Sequence, residues 1–237
     1  MNHFDSSIIT FLNSFARHSW AFDSFVYMIS GNNLLKGGVI VALIWWAWFR
    51  PSADKVDVDP RQQLICAIFA CLVAVLIARG LAIMLPFRNR PMTVAALHFQ
   101  HPYGADEGGL INWSSFPSDH ATVFFSLAMS VFFVWRAAGI AALSYVFLFI
   151  SMPRLYLGFH YPTDILAGAF IGITLALIAR AKVFRDWAGR FMMPWLERSP
   201  GSFYACLFIL TFEIATLFQS MRGIARFLLS LFQSHST

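Results

Sequence analysis

The sequence predicts an all-α fold, a bundle of six membrane-spanning helices preceded by an N-terminal interfacial amphipathic helix, and three observations predict it. Of 237 residues, 58% are hydrophobic and 12% charged, a balance suited to a polytopic membrane chain and unusual for a soluble domain. The apolar residues fall in runs that can cross a hydrocarbon core of roughly 30 Å, which takes about 20 helical residues. Lys and Arg gather in the connections between those runs, where they set orientation. The formal charge of +5 is explained by these connections, so nucleic-acid binding is disfavoured and a soluble α/β enzyme is a poor second reading.

At 4–15, Phe4, Ile8, Ile9, Phe11, Leu12 and Phe15 recur at helical spacing, while Asp5, Ser6, Thr10, Asn13 and Ser14 take the other face. The pattern fits a helix in the membrane interface as well as one packed against the spans. No basic stretch followed by a small-residue cleavage site precedes it, and no cleaved signal is expected. Candidate spans follow at 34–49, 64–85, 118–135, 138–152, 163–179 and 203–218. The first and fourth are short and reach the bilayer surface through interfacial aromatics such as Trp45, Trp46 and Trp48.

Arg50, Lys55, Arg61, Arg136, Arg180, Lys182, Arg185, Arg190 and Arg198 mark one set of connections as cytoplasmic. Loops 88–117 and 153–162, with the N-terminal helix, then face outward. Cys66, Cys71 and Cys206 lie inside apolar runs without a CxxC pair and are expected to be inert thiols. No internal repeat or low-complexity linker divides the chain, so 1–237 is expected to be one domain, with chemistry at 88–164 and an additional span at 203–218.

Both outward loops set a histidine beside a proline at the mouth of an apolar run. Pro162 suits the first turn of a helix, which puts His160 just before it and Asp164 inside it, close enough for the carboxylate to reach a ring nitrogen. A ring so held keeps one tautomer and leaves its other nitrogen as nucleophile or base; alternatively Asp164 caps the helix and His160 is an interfacial aromatic. Arg154, six residues before His160, offers a planar fork for phosphate oxygens, or a snorkelling charge. Arg90, stiffened by Pro91, and Arg88 extend a guanidinium set suited to a highly anionic ligand, with phosphate the obvious candidate. In Pro117-Ser118-Asp119-His120, backbone N–H groups at a helix start and the Ser118 hydroxyl can bind a phosphate oxygen, with the helix dipole favouring its charge. His120 can then protonate a departing oxygen. Taken alone, Pro-Ser at a helix start is common capping chemistry.

The ordered set Arg90-Pro91, Pro117-Ser118-Asp119-His120 and Arg154, with five residues to His160 and three more to Asp164, resembles the three-part signature of the type-2 phosphatidic acid phosphatases. Within that family it is most similar to the bacterial undecaprenyl-pyrophosphate phosphatases of the bacitracin-resistance type. The resemblance implies that His160 attacks the terminal phosphorus to give a phosphohistidine, that Asp164 orients it, and that His120 protonates the leaving oxygen and later activates water. Arg90, Arg154 and Ser118 would hold the phosphate oxygens, with Arg88 beside them. No metal or cofactor is implied.

The chain departs from the family pattern at Ile83, where a lysine is common seven positions before the arginine; Arg88 or Arg79 is a candidate for its charge. Pro153 stands where serine is common, with Ser151 as a possible substitute in space, and Asp119 where glycine is frequent. Arg79 and Glu213 are ionisable groups within apolar runs, and His98, His101, Asp106 and Glu107 have a loose metal-like spacing better read as a solvated loop. The expected function is dephosphorylation of undecaprenyl pyrophosphate at the outer face of a bacterial cytoplasmic membrane, with membrane lipids and the polyprenyl phosphate as partners. Phosphatidylglycerophosphate, phosphatidic acid and lipid A are alternative substrates, phosphotransfer between lipids is an alternative reaction, and a non-catalytic lipid-phosphate binding or transport protein is the rival reading.

Overall fold

A computed structural model describes residues 2–50, 59–105 and 112–234. Lys55, Asp106 and Glu107, named above, lie outside the described residues. Every regular element among the described residues is helical.

Local chemistry sets most helix ends. α1 (His3–Asn13) starts where the Asn2 side chain accepts from the Asp5 backbone N–H at 2.7 Å. α2 (Trp20–Gly31), capped by Ser19, is absent from the expected elements; a π-helical turn, Leu34–Gly38, joins it at a 62° bend to α3 (Val39–Phe49). α4 (Pro60–Met84) has Asp59 as its cap and Pro60 in its first turn; its 25 residues reach roughly 37 Å. α5 (Asp119–Val134) is capped by Ser118. α6 (Arg136–Tyr145), a π segment at Val146–Ser151 and α7 (Met152–Tyr156) run on as one stretch. Pro153 explains the π segment: its ring crowds the carbonyl four residues back, and a widened turn ahead of it relieves the clash.

α8 (Pro162–Ile178) bends by 65° into the stretch Lys182–Arg198, which comprises α9 (Lys182–Trp187), a π segment at Ala188–Met192 and α10 (Met193–Arg198). This stretch, expected as a connection, is helical, and its π segment again precedes a proline, Pro194. α11 (Pro200–Ala215) and α12 (Gln219–Ser234) complete the chain. The turn between them holds Leu217 and Phe218 at φ of 52° and 58°.

Of the six expected spans, length and composition single out between two and four, with two shorter apolar helices beside them. α4 and the stretch Arg136–Tyr156 qualify, and the count rises to four if each bent pair is one span. α5 and α11 have 16 residues each, roughly 24 Å of helix against a core of roughly 30 Å.

Two features fix the centre of the bundle. Val123, Phe124, Leu127 and Val131 of α5 share one buried cluster with Leu64, Ile68 and Cys71 of α4 and Ile40 and Ile44 of α3. Lipid is as apolar as these side chains, so close backbone approach must supply what hydrophobicity does not. It does so between α5 and α8: a Cβ on Gly168 would lie 2.5 Å from the Ser118 carbonyl oxygen, and one on Gly172 2.2 Å from that of Thr122. Only glycine permits this contact. Because α4, α5, the single stretch of α6 and α7, and α8 alternate in direction, the starts of α5 and α8 and the end of α7 meet at one end of the bundle, where the site lies.

Candidate active site

Asp164 organises the start of α8. One carboxylate oxygen accepts from the Tyr161 backbone N–H at 2.8 Å, the cap foreseen as one reading of this residue, and the other from Arg88 Nη1 at 2.5 Å. Arg88 also donates through Nη2 to Asp5 at 2.6 Å and through Nη1 to Thr163 at 2.9 Å, and its guanidinium lies 4.2 Å from the centre of the Tyr161 ring. Asp5 accepts in turn from the Thr163 hydroxyl at 2.7 Å and its backbone N–H at 3.0 Å. Asp5 and Asp164 are fully buried, so each requires this positive charge between them. The expectation for Arg88 is thereby corrected: both ends of its fork are taken by carboxylates, and it holds the protein scaffold together instead of offering them to phosphate.

His160 is buried, and its Nδ1 lies 2.8 Å from the Ser115 carbonyl oxygen. A carbonyl can only accept, so Nδ1 carries the proton and the neutral ring presents an unprotonated Nε2. The expected direct Asp164 contact is longer, at 3.7 Å from Nδ1. Thus Ser115 sets the tautomer, and Asp164 acts through charge and by shaping the helix start. Burial lowers the pKa of His160 below that of a free imidazole; Asp164 opposes the shift, while Arg90 and Arg154 reinforce it.

The two expected phosphate-binding arginines flank this ring. Arg90 Nη1 donates to the Phe159 carbonyl at 2.6 Å, and Arg154 Nη1 donates to the Ser30 hydroxyl at 2.9 Å. Both are buried. Burial lowers the Arg90 pKa to about 10, with Asp164 and Asp119 opposing the shift, which leaves it a cation at neutral pH. The Arg154 carbonyl accepts from the backbone N–H groups of Phe159 and His160 at 2.9 and 3.3 Å, tying arginine and histidine into one tight turn.

At the start of α5, Ser118 is fully buried and its hydroxyl accepts from the Ala121 N–H at 3.4 Å. Its own N–H donates to the Asp164 carbonyl at 3.1 Å, so the backbone of Ser118 stitches the two motifs together and that N–H is taken, while its hydroxyl serves as an acceptor. His120, half-buried, lies within electrostatic range of His160 and Arg154. Asp119 pairs with Arg79, whose guanidinium also lies over the Trp113 ring at 4.8 Å. The structure therefore brings His160, His120, Asp164, Arg90, Arg154 and Ser118 to one place.

Sequence reasoning missed Asp5, Ser30 and the Ser115 carbonyl. Asp5 was visible as an acid inside an amphipathic helix, but nothing local names its partner 83 positions away. The hydroxyls of Ser115 and Ser151 are buried without a hydrogen-bond partner among the described residues. No group of three or more potential metal ligands occurs among the described residues.

An all-helical membrane scaffold with paired histidines, buried arginines and a carboxylate is the framework of a membrane phosphatase. Residues 63–188 match the PAP2 superfamily, and the chain belongs to it. YbjG of Escherichia coli (strain K12), by its name a candidate undecaprenyl-diphosphatase, is 28% identical over 164 residues, covering 67% of this chain and 75% of that protein. Undecaprenyl-diphosphatase BcrC of Bacillus subtilis (strain 168) is 26% identical over 168 residues, covering 70% and 78%. Among solved structures, that of Aquifex aeolicus LpxE superposes with a TM-score of 0.51 at 25% identity, covering 73% of this chain and 92% of that one.

Proposed function

We propose that the chain is a lipid diphosphate phosphatase that converts undecaprenyl pyrophosphate to undecaprenyl phosphate through a phosphohistidine. The observation that carries the reading is the His160 ring, locked by Ser115 with its Nε2 unprotonated beside Arg90 and Arg154. Nε2 attacks the terminal phosphorus, the P–N bond forms, and the bond to the bridging oxygen breaks. His120 gives that oxygen its proton. His120 then takes a proton from water, the resulting hydroxide attacks phosphorus, and the P–N bond breaks to release inorganic phosphate. Arg90 and Arg154 stabilise the charge on the equatorial oxygens throughout, the role positioned cations play in phosphoryl transfer. Asp164 and Ser118 keep the two helix starts in register.

The names of YbjG and BcrC support the polyprenyl diphosphate as substrate. Positive charge on the opposite connections supports a site facing outward from a bacterial cytoplasmic membrane. The test is phosphate release by the purified protein from a panel of undecaprenyl pyrophosphate, phosphatidylglycerophosphate, phosphatidic acid and lipid A. The diphosphate is expected to react fastest, with vanadate inhibiting as a five-coordinate mimic. A preference for a glycerolipid monophosphate would overturn the substrate, and binding without turnover would favour the transport reading.

A further inference from the structure

We propose that Phe99 is a positioning residue for the reaction: its ring bears on Gly158 and fixes the turn from Arg154 to His160, and α1, α2 and the turn between them fasten it there. The proposal deepens the phosphatase reading above and rests on it.

The turn leaves no room for a side chain at its tightest point. A Cβ on Gly158 would lie 2.5 Å from Phe99 Cζ, and Gly158 has a φ of 69°, a left-handed backbone that glycine adopts without penalty. Its carbonyl accepts at 3.1 Å from the N–H of Met92, two residues after Arg90. Phe99 therefore presses on the same turn in which the Arg154 carbonyl accepts from the Phe159 and His160 N–H groups. With Leu97, Phe99 also packs against a buried cluster of Ile9, Ala121, Leu155, Tyr161 and Ile165, drawn from α1, α5, α7 and the start of α8. The last three of these elements carry His120, Arg154 and Asp164.

The segment 97–103 that carries the ring is fastened at three points. Asn13 Nδ2 donates to the Gln100 carbonyl at 2.7 Å, and Asn13 Oδ1 accepts from the Gln100 N–H at 2.8 Å. Arg17 Nε donates to the His101 carbonyl at 2.8 Å. Asp23, fully buried, accepts from the Tyr103 N–H at 2.9 Å, from the Arg17 N–H at 3.0 Å and from the Tyr156 hydroxyl. Tyr156 belongs to α7, so Asp23 joins the far end of the segment to the helix that carries Arg154. Asn13, Arg17 and Asp23 all precede the stretch matched to the superfamily.

The backbone records what the fastening demands. Arg17 and His98 have φ of 65° and 45°, a left-handed conformation that side chains other than glycine seldom adopt and that persists only where surrounding contacts overrule it. His98 immediately precedes Phe99, and Arg17 makes two of the contacts that grip the segment. A loop that merely joined α4 to α5 would need neither. The consequence falls on the chemical step. The His160 nucleophile must meet phosphorus in line, and a displacement of about 1 Å can cost about 100-fold in rate, so freeing one side of its turn should lower kcat.

The test follows phosphate release from undecaprenyl pyrophosphate by the purified full chain as wild type, Phe99→Ala, Phe99→Leu, Gly158→Ala and the Phe99→Ala, Gly158→Ala double variant. Phe99→Ala should lower kcat about 10- to 100-fold with KM within about threefold, and Phe99→Leu should recover most of the loss. A methyl at 158 meets the ring in the wild type but not in Phe99→Ala, so Gly158→Ala should cost less in that background. A kcat for Phe99→Ala within about twofold of wild type, or losses at 99 and 158 that simply multiply, would overturn the proposal. Amide hydrogen exchange reads the same contact without turnover. Phe99→Ala should speed exchange at 159–160, and unaltered exchange there would overturn the positioning role. Asn13→Ala, which leaves the ring in place, should speed exchange at 97–103 and at 159–160 together, and acceleration confined to 97–103 would overturn the fastening. A wild type that cleaves no lipid phosphate, although Phe99→Ala speeds exchange at 159–160, would sink the phosphatase reading alone.

Discussion

The two histidines occupy opposite regimes of the same site. Around His160 the polar groups have partners before any substrate arrives: Ser115 holds Nδ1, Arg90 is tied to Phe159, Arg154 to Ser30, and Asp164 to Tyr161 and Arg88. Around His120 the ring forms no hydrogen bond among the described residues, and its centre lies 6.3 Å from that of the Phe124 ring. A nucleophile must be oriented before it attacks, because misplacement costs rate directly. A proton donor needs its acceptor, and the acceptor is the substrate. One half is assembled in advance, and the other is left for the ligand to complete.

The sharpest way to break this comparison is to remove the preassembled ring. His160→Ala should reduce turnover by at least about 10⁴-fold, measured as phosphate release, with pyrophosphate binding retained. His120→Ala should instead keep the first step on a substrate whose leaving group needs no proton, such as p-nitrophenyl phosphate, read as a burst of p-nitrophenolate, and loss of that burst would show that the acid assignment is wrong. Next in size, Arg88→Met leaves Asp5 and Asp164 buried without their shared cation, and a loss of about 3–5 kcal/mol in stability should appear as a large drop in melting temperature. If Arg88 were a phosphate ligand, the loss would appear in KM with melting unchanged.

The pH profile sharpens the comparison further. His160 works as the neutral ring, and its lowered pKa keeps it neutral below the usual value of about 6.5, so the acid limb of kcat/KM should lie below that pH. Arg90 is one of the charges disfavouring the imidazolium. Arg90→Gln should therefore raise the pKa and move the acid limb upward, on top of its loss in rate. Smallest of all, Ser30→Ala removes one hydrogen bond to Arg154 while leaving its charge, and should cost roughly threefold to tenfold in kcat/KM.

The difference between the two halves also explains what could be read in the chain. His160, Asp164, Arg154, Ser118, His120 and Arg90 are legible because order and spacing around helix starts fix where such residues point. Their supporting partners are not. Asp5 meets Arg88 across 83 positions, Ser30 meets Arg154 across 124, and the Ser115 carbonyl is a backbone atom that no residue identity announces. The apolar runs reveal the helices, but the bends at 31–34 and 178–182 depend on how neighbouring helices lean, and α2 went unseen.

The glycine contact between α5 and α8 carries one more implication. With the Ser118 and Thr122 carbonyls pressed against Gly168 and Gly172, the interval between nucleophile and acid is set by main-chain dimensions rather than by the size of any side chain. Lipid-facing residues can vary in bulk, and the tail of the bound lipid can shift, without stretching that interval. A single methyl inserted at Gly172 would act as a wedge, driving the two imidazoles apart while leaving each of them chemically intact.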